Sequence, residues 1–341
     1  MEKKILITGA AGFIGANLTL RLIASGKFEK IIGVDNMNDY YDVSLKEYRL
    51  NQIAAAQKNS GVGWDFQRGD IADKNFIDKI FADNQPEVVV NLAAQAGVRY
   101  SITNPAIYME SNIVGFFNIL EACRHCKNLA HLVYASSSSV YGANKKIPFS
   151  TDDRVDNPVS LYAATKKSNE LMAYCYSNLY TIPTTGLRFF TVYGAAGRPD
   201  MAYFKFTNKL LRGEDIQIFN YGKCKRDFTY IDDVVEGVIR VIEKPPANEP
   251  PHKVYNIGNG QPVNLLEFVD ILQQELIRAE VLPADYDFAA HKKMVPLQPG
   301  DVPITYADTS DLERDFNFHT KTSLHEGLRH FAEWYKKFYR V

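Results

Sequence analysis

Tyr162-Ala163-Ala164-Thr165-Lys166 sets a phenol and an ammonium four residues apart. In a helix that spacing puts both side chains on one face. A phenol is a poor base at its reference pKa of about 10. A neighbouring ammonium and a nicotinamide cation favour the phenolate and bring proton abstraction from a hydroxyl toward neutral pH. The motif arises easily by chance in a chain with 20 tyrosines. It gains weight from Ser136-Ser137-Ser138-Ser139, which ends a strand pattern upstream. Hydroxyls there can hydrogen-bond a reacting oxygen and relay its proton. Tyr162, Lys166, Ser137, Ser138 and Ser139 are therefore the catalytic candidates. For any single serine, a polar turn is the competing reading.

A second chemistry sits near the N-terminus. The first strand runs into Thr8-Gly9-Ala10-Ala11-Gly12-Phe13-Ile14-Gly15. Glycines at this spacing, between strand and helix, permit a tight turn and let backbone N–H groups approach a pyrophosphate at the positive end of the helix dipole. Asp35 ends the second strand pattern and is followed by Asn36. A carboxylate there hydrogen-bonds an adenosine ribose and repels a 2′-phosphate, which predicts NAD rather than NADP. Asp70-Ile71 follows the third strand, either bordering the adenine or forming a turn. Asn91-Leu92-Ala93-Ala94 ends the fourth with small residues suited to lie against a cofactor. The cofactor candidates are Gly9, Gly12, Phe13, Ile14, Gly15, Asp35, Asn36, Asp70, Ile71, Leu92, Ala93 and Ala94, joined by Tyr162 and Lys166.

These residues need a frame. Strand patterns over Ile5–Thr8, Ile31–Asp35, Trp64–Arg68, Val88–Leu92, Leu132–Ser136 and Thr184–Phe190 alternate with helical ones. The helices open near Gly12 and run from Val43 to about Gln57, then over Asp73–Asp83, Pro105–His125 and Ser160–Asn178. Such alternation predicts an α/β fold, a Rossmann-type doubly wound parallel sheet covered on both faces. After Phe190 the rhythm loosens into Gly- and Pro-rich segments. A smaller mixed α/β C-terminal substrate domain is expected there, closing a cleft at the carboxyl ends of the strands. The expected boundaries are 1–190 for the dinucleotide domain and 191–341 mainly for the substrate domain, with some chain returning to the first.

Bulk properties exclude several classes. Net charge is −1, so no basic surface calls for nucleic acid. No apolar run approaches the roughly 20 residues that span a bilayer. MEKKILITGA lacks the apolar core of a secretory leader, which places the chain in the cytoplasm as an expectation. Cys123 and Cys126 form a C-x-x-C with no second pair at zinc spacing, so structural thiols and no metal are expected.

Taken together, TGAAGFIG, NLAA, SSSSVYG, YAATK, LRFFTVYG and RDFTYIDD resemble the extended short-chain dehydrogenase/reductase superfamily of NAD-dependent epimerases and dehydratases, over nearly the whole chain. The resemblance implies Tyr162 as base, Lys166 on the nicotinamide ribose and a helping hydroxyl at Ser137. It also implies a homodimer through a four-helix bundle, built from the 105–125 and 160–178 helices of each subunit. Related 4,6-dehydratases carry Asp-Glu where this chain has Ser138-Ser139, and UDP-glucuronate decarboxylases carry Glu at Ser139. An epimerase is left. The UDP-galactose type has Asn at Thr191, whereas the UDP-glucuronate type has Thr followed by Y-G and G-R-P-D-M-A, as here. The resemblance implies Thr191 and Arg198 on the uronate carboxylate of a UDP-sugar, a pairing a guanidinium fork suits. Arg226 would contact the diphosphate, Asp301 the nucleotide ribose, and Arg99 is a candidate for the sugar. Competing readings are a surface-loop arginine for Arg198 and an ion pair with Asp227 for Arg226. The implied reaction inverts C4 through a transient 4-keto sugar. Rivals are a 4-epimerase for neutral UDP-hexoses or N-acetylhexosamines, a decarboxylase and a non-catalytic NAD-binding protein. One departure stands out, Ala195-Ala196 where that group has Pro-Trp, which loosens a loop beside the sugar.

Overall fold

The computed structural model describes residues 3–298 and 300–341. Met1 and Glu2 of the opening segment, and Pro299 beside Asp301, lie outside the described residues. Strands β1 (Lys4–Thr8), β2 (Lys30–Asp35), β3 (Gly63–Arg68), β4 (Val88–Asn91), β5 (His131–Ser137) and β6 (Thr184–Phe189) follow the expected order. The later strands are β7 (Thr191–Tyr193), β8 (Ile216–Ile218), β9 (Lys225–Tyr230), β10 (His252–Ile257), β11 (Pro262–Asn264) and β12 (Lys292–Met294). The main sheet is parallel, in the order β10-β6-β5-β4-β1-β2-β3.

Ile5, Leu6 and Ile7 have no exposure, because helices cover both faces of the sheet. Each such side chain contributes about 1.5–3 kcal/mol by leaving water. Helices Phe13–Ser25 and Ile231–Glu243 pack together on one face. Lys74–Asn84, Phe116–His125 and Leu161–Tyr180 cover the other. Strand order reverses at β1, which has β2 on one side and β4 on the other, with Thr8 beside both Val34 and Asn91. Crevices for ligands open at the carboxyl ends of strands at such a switch.

Two findings depart from the sequence-based expectation. The 105–125 helix is not uniformly α-helical: Met109–Gly115 forms a π-helical stretch between α-helical ends. Such widened turns commonly mark functional sites. The loosened rhythm after Phe190 also misleads, because the expected mixed α/β part is built of regular elements. It holds helices Ala202–Leu211, Ile231–Glu243, Leu265–Arg278, Ser310–Phe316 and Leu324–Tyr339. Ile231, Val234, Val235, Val238 and Ile242 are buried at helical spacing, a pattern that the Gly- and Pro-rich connections obscured. From this stretch Ile231–Glu243 and β10 join the main sheet. The rest builds a β11-β9-β7 sheet, a β12-β8 pair and the helices around them.

Candidate active site

Gly9 adopts φ +71°, and a Cβ there would lie 2.8 Å from the Ala93 nitrogen. A Cβ on Gly15 would lie 2.2 Å from the Gly9 carbonyl oxygen. Only glycine lets the turn close this tightly, and it leads into the N-terminus of the Phe13–Ser25 helix, which no side chain caps. Asp35, at the end of β2, is 7% exposed. Its carboxylate accepts from the backbone N–H of Ala11 (3.2 Å) and Met37 (2.9 Å) and from Lys46 Nζ (3.3 Å). Asn36 Nδ2 donates to Asp70 Oδ2 at 2.8 Å, and Asp70 Oδ1 accepts from the Ala72 N–H at 2.9 Å. Every cofactor candidate named above lines a single cavity of about 260 Å³. Tyr40, Tyr41, Lys46, Gln95, Ser111 and Met201 line it too and were not anticipated. The glycine cradle, the carboxylate at the end of β2 and the uncapped helix terminus suit a dinucleotide.

The reactive end lies in the same cavity. Ser160 caps the Leu161–Tyr180 helix, accepting from the Ala163 N–H at 3.1 Å. That sets Tyr162 and Lys166 on the cavity wall with Ser137. Burial pushes the Tyr162 phenol above its ordinary range, and the Ser137 hydroxyl and the Arg198 guanidinium oppose the rise. Lys166 Nζ is tied to the Ala135 carbonyl oxygen at 2.9 Å, and burial lowers its ammonium to about 8. Of the serine run, Ser136 and Ser137 reach the cavity and Ser138 and Ser139 do not. The chain leaves β5 there for a 3₁₀ turn over Ser138–Tyr141, which the Ser137 hydroxyl caps by accepting from the Ser139 N–H at 3.2 Å. Behind this wall Arg188 forks onto Glu170 at 2.8 and 2.9 Å, and Ser136 Oγ donates to the same carboxylate at 2.7 Å. Sequence patterning gave no hint of that buried pair.

The sugar candidates scatter more. Arg198 reaches the cavity, but its fork already holds a carboxylate. Nε and Nη2 donate to Asp200 at 3.0 and 2.6 Å, and the Tyr40 hydroxyl donates to Asp200 at 3.3 Å. Burial works to raise the Asp200 carboxyl, yet the Arg198 charge outweighs it and holds the group below its usual value. Thr191 opens β7 opposite Phe228 and is absent from the cavity wall, which its neighbours Phe190 and Val192 line. Arg99 and Asp301, proposed for different parts of a substrate, pair with each other at 2.6 Å, with the guanidinium 4.4 Å over the Phe219 ring. Arg226 donates to the carbonyls of Lys225 (3.0 Å) and Pro303 (3.3 Å), not to Asp227. Asp227 instead accepts backbone N–H bonds from Asn259, Gly260 and Ala307 at 2.7, 3.0 and 3.0 Å. Among the described residues no His/Cys/Asp/Glu cluster could hold a metal ion. Cys123 and Cys126 are buried, and burial raises both thiols. Nor is any described helix long and apolar enough to cross a membrane.

Comparison with known proteins fits this layout. The NAD dependent epimerase/dehydratase family model matches residues 5–258. Protein CapI of Staphylococcus aureus is 52% identical, with 99% of both chains covered. A probable UDP-glucuronate 4-epimerase of Rhizobium meliloti is 45% identical over 99% of this chain and 98% of its own. The crystal structure of a Bacillus cereus UDP-glucuronic acid 4-epimerase, in complex with UDP-glucuronic acid and NAD, superposes with a TM-score of 0.85. That protein is 33% identical, with 98% of this chain and 100% of the other covered. A match over most of the chain, at these identities, places this protein in the NAD-dependent epimerase/dehydratase family.

Proposed function

We propose that the chain is a UDP-glucuronate 4-epimerase, interconverting UDP-glucuronate and UDP-galacturonate. The observation that carries this reading is that one cavity gathers the glycine turn, Asp35, Ser137, Tyr162, Lys166 and Arg198. Relatives named for that activity match along nearly all of the chain and support it. Gly9, Gly12, Gly15 and Asp35 would hold NAD, which supplies the acceptor and donor of the C4 hydrogen. Tyr162 takes the proton of the sugar C4 hydroxyl and returns it. Ser137, which faces the phenol, orients that hydroxyl. Lys166 is fixed by the Ala135 carbonyl and keeps a positive charge beside the base. A 4-keto uronic acid is a β-keto acid and loses CO2 readily, so its carboxylate must be held out of line with the ketone. Arg198 would do that, alongside or in exchange for Asp200. Thr191, Arg226, Asp301 and Arg99 stand off the cavity wall, and we assign them no chemical step.

Residues 1–190 would form the dinucleotide domain, with Ile231–Ile257 returning to it, and the remainder the substrate domain. Met109, Val114, Phe117, Leu171, Tyr174 and Leu179, on the 105–125 and 161–180 helices, are between 44% and 61% exposed. Apolar side chains concentrated this way support a homodimer through a four-helix bundle.

The deciding measurement incubates the protein with UDP-glucuronate and reads the C4 configuration of the product by NMR. Inversion at C4 is expected. A pentose with released CO2, or turnover of UDP-glucose in place of the uronate, overturns the assignment.

A further inference from the structure

The Val43–Lys58 helix turns Leu45, Lys46, Arg49 and Ile53 inward. Arg49 is only 2% exposed. A guanidinium stays charged wherever it is placed, and burying it is costly unless its donors are satisfied. Its hydrogen bonds all run to uncharged oxygens. Nε donates to the Ala196 carbonyl at 2.9 Å, and Nη2 to the Ala196 and Gly197 carbonyls at 2.7 and 3.0 Å. Nη1 donates to the Ala11 carbonyl at 3.0 Å and to the Tyr41 hydroxyl at 2.8 Å.

The two ends of this contact set belong to different halves of the site. Ala11 lies inside the glycine turn, and its N–H donates to Asp35. Ala196 and Gly197 immediately precede Arg198. Ala196 stands at φ +52°, a conformation disfavoured for any residue with a Cβ. Nothing in the Ala195-Ala196 sequence stiffens that loop, so Arg49 is what fixes its carbonyls. Arg49 thus bridges the glycine turn and the backbone that leads into Arg198.

We infer that Arg49 is a positioning residue that couples the dinucleotide turn to the loop carrying Arg198, so that NAD binding tightens the grip on the sugar acid. The inference rests on the functional reading above. Its test is a double titration. Protein freed of NAD is titrated calorimetrically with UDP-glucuronate, with and without saturating NAD. In the parent, NAD tightens UDP-glucuronate by a factor within the usual coupling range of about 5–150-fold. In Arg49→Lys, which keeps the charge and loses the fork, that factor collapses toward unity. A coupling factor equal to the parent's, even with both affinities or the melting temperature lowered, overturns the inference and leaves Arg49 as structural glue. A parent without coupling overturns it as well. Should Arg49→Lys fail to fold, Tyr41→Phe removes one contact on the same fork and is read identically. A reduced factor supports the inference and an unchanged one sinks it. Failure of the functional reading has its own signature, a parent that binds UDP-glucuronate but never inverts C4.

Discussion

At one end of the cavity the protein recognises with its backbone, and at the other with its side chains. Around Gly9 and Gly15 main-chain atoms stand where a Cβ would have to go. Asp35 is likewise pinned by two backbone N–H groups. Around Arg198 the contacts are an ion pair with Asp200 and a phenol from Tyr40. Backbone contacts confine that end to a narrow range of shapes, which a bound cofactor narrows further. An ion pair between neighbouring side chains can exchange partners, so the sugar end can adapt. The difference teaches where selectivity can change: substitutions at the glycine turn should cost the cofactor, and those near Arg198 should alter which sugar is accepted.

The strongest attack on this contrast falls between the two ends. Tyr162→Phe should lower kcat by about 10²–10⁴-fold, the usual share of general acid–base catalysis, while leaving NAD retention intact. Loss of NAD in that variant would mean that the reactive group and the cradle are not separable. A second test weakens the scaffold without touching either end. Burial lowers His131 from 6.5 to about 4. Unfolded histidine protonates below 6.5 while the folded one stays neutral, so stability falls from pH 6.5 down to about 4 and the loss then levels off. The drop is about 3 kcal/mol at most from this group, and denaturant midpoints at pH 7 and 4.5 should converge in His131→Gln relative to the parent. His252, lowered to about 4 by burial as well, contributes to the same window and remains in the variant.

Next in size, Arg198→Ala removes a charged hydrogen-bonding group, worth about 1.5–3 kcal/mol, or roughly 10–150-fold in KM for UDP-glucuronate. UDP-glucose kinetics should stay put, and a pentose by-product should appear in the uronate reaction by mass spectrometry. Unchanged kinetics and product purity would remove Arg198 from the carboxylate. Gly15→Ala comes last. Overpacking of this kind costs about 1–3 kcal/mol, expected as a weaker Kd for NAD in a fluorescence titration. An unaffected Kd would show the cradle to be softer than its contacts suggest.

What could be read from sequence divides along the same line. Ile5–Ile7 and Val88–Val90 are apolar runs because both faces of a parallel strand are buried, and the glycine spacing announces the turn that follows. Strand ends were placed within about two residues, the ordinary uncertainty of element boundaries. The inner face of the Val43–Lys58 helix escaped notice because Lys46 and Arg49 occupy it where apolar residues are expected. The π-helical turn has no compositional mark. The Arg99–Asp301 pair joins segments 202 residues apart, a distance over which local patterning carries no information. Arg198 was singled out from the family resemblance, but that its fork would meet Asp200 depends on how one loop folds back on itself.

Strand β10 has a consequence for how the molecule is made. The main sheet ends on a strand from late in the chain, and one of its faces is covered by Ile231–Glu243. A nascent polypeptide released at Phe190 would carry the entire glycine turn and the reactive tyrosine, yet present β6 as a naked hydrogen-bonding margin above an uncovered apolar surface. Such margins invite pairing between chains. A chain that stops there should yield aggregates rather than a smaller working protein.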